Sequence, residues 1–510
     1  MEPLFLGIAT LSVVVLGYLI AYRQYAQKHW LAALVLIMLS GLALRLFTAS
    51  DFFLHPWDER YHALVAKNLI HHPWLPTLYE NSVLPLDFKN WTATHIWVHK
   101  QPFPLWTMAL SMRLFGFNEM ALRLPSIVLS TLGIGITFAI ARQFFNTRVA
   151  FIASFLYSIH GLIIELSAGR VATDHFDVFF LFFIQLGVWM AIRFFQTQKV
   201  IFNLLCGLSV GLAILTKWLP ALIVIPLWLL LAYENKRLFS RQTFFQFLLL
   251  IGMVAVVSLP WQGYIFTTFP QEAQWESSFN FKHLTQTLEN HSHPFYYHFD
   301  KLRMIYGELI YLPLLWFFYH TFKTFRNPKR WILTLWILIP FLFFTLAKTK
   351  MQAYTLFTAP AIFMVTALFW DYLYAYRNQF KYKGWVVVLL VLLLALPIRY
   401  SLERIKPFSL SSRNPLWSQE LKALANQSFN KENTVIFNTE HPIETMFYTH
   451  CIAYEGIPDT KTLDEIYKKG YRIYLRQARE LSSSEHRKPE EIWSQPYQVV
   501  YISYKPIANP

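Results

Sequence analysis

Five short stretches of this sequence bring ionisable side chains together in ways that suit chemistry. The first is WDERYH at 57–62, where the carboxylates Asp58 and Glu59 are adjacent and Arg60 follows. Neighbouring residues point to different faces of a helix, so the two carboxylates do not act as one pair. One can face a cavity as a general base while the other caps or orients. Asp58 also stands where a helix over 59–70 would begin, so an N-cap is its alternative role. The second stretch is HKQPFPLW at 99–106. Its Lys100 precedes two prolines that fix the chain ahead of an amphipathic helix. Lys100 is either a snorkelling interfacial lysine or a point charge for a lipid phosphate. The third, GRVATDHFD at 169–177, puts Asp174 and Asp177 on one helical face. The fourth, AKTKMQAYTLFTAP at 347–360, sets Lys348 and Lys350 between two apolar runs. An anionic ligand would explain that basic pair, and interfacial anchoring is the alternative. The fifth is a loop bearing His283, His291, His293 and His298. With His62 and His99 these supply enough imidazoles for a divalent metal, with His99 and His283 as the pair singled out, although the spacing matches no established metal motif.

These groups must be positioned by a chain of unusual composition. Of its 510 residues 55% are hydrophobic, 18% are aromatic and 15% are charged. The charged share is well below the usual quarter. A soluble protein could not hide so much apolar surface, whereas a bilayer can host it. The formal charge of +15 would suit nucleic acid, but the Lys and Arg sit in short clusters between apolar runs, as membrane topology requires. Nucleic acid is therefore not an expected partner. Cys206 lies in an apolar run and Cys451 in a polar tail, which argues against a mutual disulfide. The run 3–22 lacks the charged start and small-residue cleavage site of a signal peptide and reads as a retained helix.

Twelve segments are candidates to span a membrane: 3–22, 30–46, 122–144, 149–166, 178–192, 200–215, 219–233, 244–266, 305–322, 331–346, 354–370 and 385–398. The stretch 200–233 is either two spans or a hairpin broken at Lys217 and Pro220. Every second connection is basic. Arg23 and Lys28 follow the first span, Arg142 and Arg148 flank the next such turn, and Arg193 and Lys199 the one after. Then come Lys236, Arg237 and Arg241; Lys323, Arg326, Lys329 and Arg330; and Arg377, Lys381 and Lys383. The positive-inside rule puts all six on the cytoplasmic side and leaves all five chemical stretches outside. Segments 59–70 and 103–115 have amphipathic character that suits helices lying on the outer membrane surface. No internal repeat is evident. From Arg399 the composition turns polar. VIF at 435–437, IYKK followed by YRIYL at 466–475, and VVYISY at 499–504 read as strands alternating with helices. The expected architecture is all-α and polytopic over 1–398, with outer loops 51–121 and 267–304, and a small α/β domain over 399–510 on the outer side.

Taken in order, these segments resemble the polyprenyl-phosphate-sugar-dependent glycosyltransferases of the GT-C fold. The likeness is to the family 39-like group, which includes the lipid A aminoarabinose transferase and protein O-mannosyltransferase relatives. WDERYHALVAKNL is similar to that group's acidic motif in the first outer loop. HKQPFPLWTMALSMRLFGFNEMALRLPS is similar to its Lys-Pro-Pro segment, and GRVATDHFD to its second Asp motif. LTKWLPAL, SLPWQGY, HPFYYHF and AKTKMQAYTL match further landmarks in the right order, and the likeness runs from about residue 42 to 367.

The resemblance implies a hexosyl- or pentosyltransferase of the bacterial inner membrane, with its active site facing the periplasm. The donor would be a polyprenyl-phosphate-linked sugar, and the acceptor a lipid, glycan or protein. Lys100 would hold the donor phosphate, helped by Arg60 and by Lys348 or Lys350. Asp58 would take the proton of an acceptor hydroxyl, with Asp174 orienting or sharing that role and Glu59 behind them. One displacement would invert the anomeric centre. The carrier lipid arrives already activated, so no nucleotide cofactor is needed, and a divalent metal is the one candidate addition. The rival reading is a lipid or glycan transporter without chemistry. It calls for repeated halves and charge at the bilayer midplane, whereas here the acidic groups gather at the outer boundary.

Overall fold

The structure, a computed structural model, describes residues 2–289, 291–325, 327–428 and 430–476. In chain order its helices begin with α1 (Glu2–Ala26), α2 (Trp30–Ala49), α3 (Asp58–Leu69), α4 (Pro102–Phe115), α5 (Glu119–Phe144), α6 (Thr147–Ser158) and α7 (Gly161–Ser167). They continue with α8 (Asp174–Thr197), α9 (Val200–Lys217), α10 (Val224–Glu234), α11 (Arg241–Thr268), α12 (Pro270–Thr285), α13 (Tyr297–Tyr306) and α14 (Tyr311–Lys323). The last are α15 (Pro328–Leu346), α16 (Ala359–Tyr376), α17 (Lys383–Ile405), α18 (Leu416–Leu424), α19 (Pro442–Tyr448) and α20 (Thr460–Lys468). Three strands lie among the last helices: β1 (Thr434–Phe437), β2 (Ile452–Ala453) and β3 (Arg472–Leu475). The chain divides into two compact units. One holds residues up to 50, 98–107 and 123–411; the other holds 51–97, 108–122 and, of the described residues, 412–476.

Among the described residues nine helices are long and apolar enough to cross a membrane, and they account for nine of the twelve expected spans. The other three take different forms. Segment 149–166 is split into α6 and α7, which meet at a 48° bend. There the His160 ring accepts the Ile163 N–H at 3.3 Å and caps α7. Segment 219–233 is a 3₁₀ turn over Leu219–Ile223, begun by Pro220, followed by the short α10. Segment 305–322 is interrupted by Gly307, whose φ of +101° favours glycine. Expected segments 59–70 and 103–115 are helical, as α3 and α4.

In the first unit the basic connections are tied to one another. Arg148 pairs with Asp371 at 2.8 Å, with Tyr374 beneath its guanidinium. Tyr25 lies 4.4 Å from Phe151, Arg237 donates to Gln198 at 2.5 Å, and Lys329 pairs with Glu234 at 3.8 Å. Arg326 lies outside the described residues. Capping residues start the helices that leave these turns: Asn146 for α6, Ser240 for α11 and Asn327 for α15. The core is aromatic. Phe194 stacks on Trp228 with ring centroids 6.1 Å apart, and Phe180 meets Phe357 edge-on at 5.0 Å. Arg45 is fully buried in α2 and is held by the Ser130 hydroxyl and the carbonyls of Gly41 and Ser158 at 2.8–3.0 Å. Any side chain at Gly41 would press on that guanidinium.

In the second unit β2-β1-β3 form a parallel sheet, with Val435 opposite Ile452 on one side and Ile473 on the other. The central strand is buried at all four positions, as a parallel strand covered on both faces must be. VIF and YRIYL thus form strands; IYKK instead closes α20, which Asp459 caps. VVYISY at 499–504 lies outside the described residues. Cys206 and Cys451 are both buried, and they are not joined in a disulfide.

Candidate functional site

In the first unit charge collects where α8 begins and α9 ends. Thr173 and Asp174 have φ of +65° and +28°, an uncommon and strained conformation for non-glycine residues. That turn brings Asp177, 3% exposed, into an ion pair with Lys217, and the Thr173 hydroxyl donates to the same carboxylate. The Lys217 ammonium sits 5.0 Å over the Tyr354 ring. Asp174 is fully buried beside this pair, and His175 meets the Ser126 hydroxyl at 2.6 Å. The GRVATDHFD motif therefore engages Lys217 through Asp177 rather than through Asp174. Lys100, half-buried just before α4, is close enough for its charge to act on both Asp177 and His283.

His99 pairs with Glu276 of α12 at 2.9 Å, and the His283 ring meets the Phe279 carbonyl at 3.0 Å. Burial, with Lys100 and His99 adding to it, holds His283 below the usual histidine value, so it is neutral at pH 7. Among the described residues no three His, Cys, Asp or Glu side chains assemble into a group that could hold a metal, so His99 and His283 do not complete a divalent-ion site there. Lys348 and Lys350 run alongside the histidine loop. The Lys348 N–H donates to the Leu284 carbonyl at 3.2 Å, the Thr349 N–H to that of His283 at 3.0 Å, and Thr349 bridges to Ser292.

In the second unit the first acidic motif opens α3. Trp57 occupies the N-cap and Asp58 is the first helical residue, so Asp58 does not fill the capping position. Glu59 is fully buried and accepts the His55 N–H at 2.8 Å, which is an orienting role. Arg60 lies 3.5 Å from the buried carboxylate of Glu444 in α19 and donates to the Tyr61 hydroxyl at 3.1 Å. One turn and more further on, Lys67 donates to the carbonyls of Met446, Phe447 and Thr449 at 2.7–2.9 Å, satisfying the open end of α19. Burial pushes Lys67 down to about 8.

Sequence reasoning set Asp177 on one helical face with Asp174 without giving it a role of its own, and it missed Lys217, Glu276 and Glu444 as members of these clusters. Asp177 and Lys217 carried a signal, in the i,i+3 aspartates and in LTKWLPAL. Glu444 carried none, because its partner Arg60 is 384 positions away.

The family model for dolichyl-phosphate-mannose-protein mannosyltransferase matches residues 99–261, a segment that opens on His99 and Lys100. The undecaprenyl phosphate-alpha-4-amino-4-deoxy-L-arabinose arabinosyl transferase 2 of Proteus mirabilis is 25% identical over 287 residues, covering 52% of this chain and 49% of that protein. The chain thus spans about half the length of the curated relatives it matches. The crystal structure of ArnT from Cupriavidus metallidurans bound to undecaprenyl phosphate superposes with a TM-score of 0.58 at 17% identity, covering 85% of this chain and 87% of that one. The oligosaccharyltransferase of Archaeoglobus fulgidus superposes with a TM-score of 0.57 at 15% identity, covering 84% and 65%. The protein is an integral, multi-pass membrane protein with the GT-C fold. Within that class the sequence matches are to glycosyltransferases of the family 39-like group, the same group that the ordered motifs resemble.

Proposed function

We propose that the protein transfers a sugar from a polyprenyl-phosphate-linked donor to a lipid, glycan or protein acceptor, on the periplasmic face of a bacterial inner membrane. The observation that carries this reading is Lys100, a half-buried cation beside the buried Asp177–Lys217 pair and at the start of the segment that matches the mannosyltransferase family. Lys100 binds the donor phosphate, with Lys348 and Lys350 as further cations that stabilise the charge of the departing phosphate. Asp58 removes the proton of the acceptor hydroxyl, which attacks the anomeric carbon in one inverting displacement. Asp174 supports acceptor or sugar, beside the Asp177–Lys217 pair, and Glu59 orients the start of α3. The uneven partition of charge supports this over transport: the acidic motifs lie at helix ends, not mid-span.

The test is analysis of lipid-linked sugars and envelope glycans with and without the gene, followed by transfer with the purified protein. A polyprenyl-phosphate sugar should accumulate in the deletion strain while one envelope glycoform disappears. Unchanged pools of both would overturn the reading.

A further inference from the structure

Both neighbours of Lys100 are tied by their side chains to one corner of the first unit. The corner is where α11 ends and α12 begins, with Phe269 alone between the two helices. Immediately before Lys100, the His99 ring meets the Glu276 carboxylate of α12 at 2.9 Å. Immediately after it, the Gln101 side-chain oxygen accepts the Gln262 side-chain amide of α11 at 2.7 Å. Gln101 is 2% exposed and Glu276 7%, so both contacts are set into the protein. A third contact lies a turn into α4, where Trp106 meets Trp261 edge-on at 5.3 Å. All of these residues belong to the first unit.

The Glu276 contact is itself supported. The Asn280 side-chain amide donates at 3.1 Å to the same carboxylate oxygen that meets His99, and at 3.0 Å to the Glu276 carbonyl. Residues 276 and 280 are one turn apart, so the pair stands on one face of α12. With the carboxylate as acceptor, Nδ1 of His99 carries the proton of the bond. Phe279, on the same turn, lies 6.2 Å from the His99 ring. Local chain geometry forces neither tie, since the partners are 177 and 161 positions apart. An apolar pair would join the same elements without the cost of burying polar groups. What the two polar pairs add is direction, and they bracket a single cation.

We propose that Glu276 and Gln262 are positioning residues, which act through His99 and Gln101 to fix the backbone on both sides of Lys100. The inference rests on the phosphate role proposed for Lys100. A lysine presents a point charge on a flexible four-carbon stem. Where its ammonium can stand is therefore set by where its backbone is held. Pro102 restricts the chain two residues further on. With both neighbours tied as well, little freedom of the segment remains to be lost when an anion binds, which favours binding.

The full-length protein in detergent would be titrated calorimetrically with undecaprenyl phosphate. The variants are Glu276→Ala, Gln262→Met and Lys100→Ala, with each of the first two also combined with Lys100→Ala. Glu276→Ala and Gln262→Met should each weaken binding about three- to tenfold, the effect of one net hydrogen bond. Neither should weaken it further in the Lys100→Ala background, because their effect passes through the lysine. Glu276→Gln still offers His99 an acceptor and should stay within about twofold of wild type. Gln274→Ala, at an exposed position of α12, should change nothing. A contact that only stabilises the fold would weaken binding by the same factor with and without the lysine, and that result would overturn the inference. Wild-type affinity in both Glu276→Ala and Gln262→Met would overturn it too. The two ties lie on different helices, so if one variant fails to fold the other decides. Wild-type affinity in Lys100→Ala itself would remove the phosphate role of that lysine and this inference together. Coupling to Lys100 in a protein that binds the lipid but transfers no sugar would support the inference and remove the transferase reading alone.

Discussion

Asp58 and Lys100 carry the chemistry proposed for this protein, and each predicts a distinct loss. Asp58→Asn keeps the shape of the side chain at the first position of α3 and removes its basicity. Carrier-lipid binding should persist while transfer falls roughly 100-fold or more, the usual range for losing a general base. Near-normal transfer by a well-expressed variant would pass the role to Asp174 or Asp177. Lys100→Ala should instead act on binding. A charge-assisted contact contributes on the order of 1.5–3 kcal/mol, so affinity for the carrier lipid should drop about 10- to 100-fold. An unchanged dissociation constant would take Lys100 out of the phosphate site. Asp177 needs a separate measurement, because removing it strands Lys217. Breaking a buried pair costs about 3–5 kcal/mol, and Lys217, a quarter exposed, argues for the lower end. Asp177→Asn should therefore lower the melting temperature, whereas Asp58→Asn should leave it nearly unchanged.

At the scale of elements, α3 is held by its own unit through Lys67 and Arg60. The three carbonyls that Lys67 satisfies close α19, and the Arg60–Glu444 contact joins the same two helices. Lys67→Met preserves the aliphatic stem and leaves those carbonyls open, so it should destabilise the unit by about 1–3 kcal/mol. Limited proteolysis between 425 and 476 would report it. The pH dependence has a definite sign. Lys67 titrates near 8 in the folded protein, against a model-peptide value of about 10.4 when unfolded. Between those values the unfolded chain holds a proton that the folded one does not, so this residue makes stability rise with pH across that window. The difference in stability between wild type and Lys67→Met should change in that direction between pH 8 and 10.5. A difference independent of pH would mean that the lysine is not buried as described.

At the scale of the whole molecule, orientation is the outstanding prediction. The Arg148–Asp371, Arg237–Gln198 and Lys329–Glu234 contacts tie basic turns together within the first unit, as turns sharing one membrane face must be. The positive-inside rule then sets that face in the cytoplasm. A single cysteine placed at Lys329 should resist a membrane-impermeant maleimide in intact cells and react after permeabilisation. One placed at His293 should react from outside. The reverse pattern would invert the topology and move every candidate site residue to the wrong side.

The sequence alone determined the membrane class, the helical architecture and most of the spans, because long apolar runs and basic turns are local signals that a bilayer makes decisive. The ordered motifs indicated the GT-C group as well, and Lys100 was singled out from its place before Pro102 and Pro104. The broken elements were less legible. The bend at His160 and the interruption at Gly307 arise from side-chain and backbone geometry that hydropathy does not register. In the acidic motifs the sequence presented several carboxylates and could not choose among them. Tertiary structure decided that Glu59 binds a backbone N–H, that Asp177 rather than Asp174 meets Lys217, and that Arg60 faces Glu444. Each of those outcomes depends on residues far apart in the chain arriving at one place, and pairing across such distances leaves no periodicity or spacing to read.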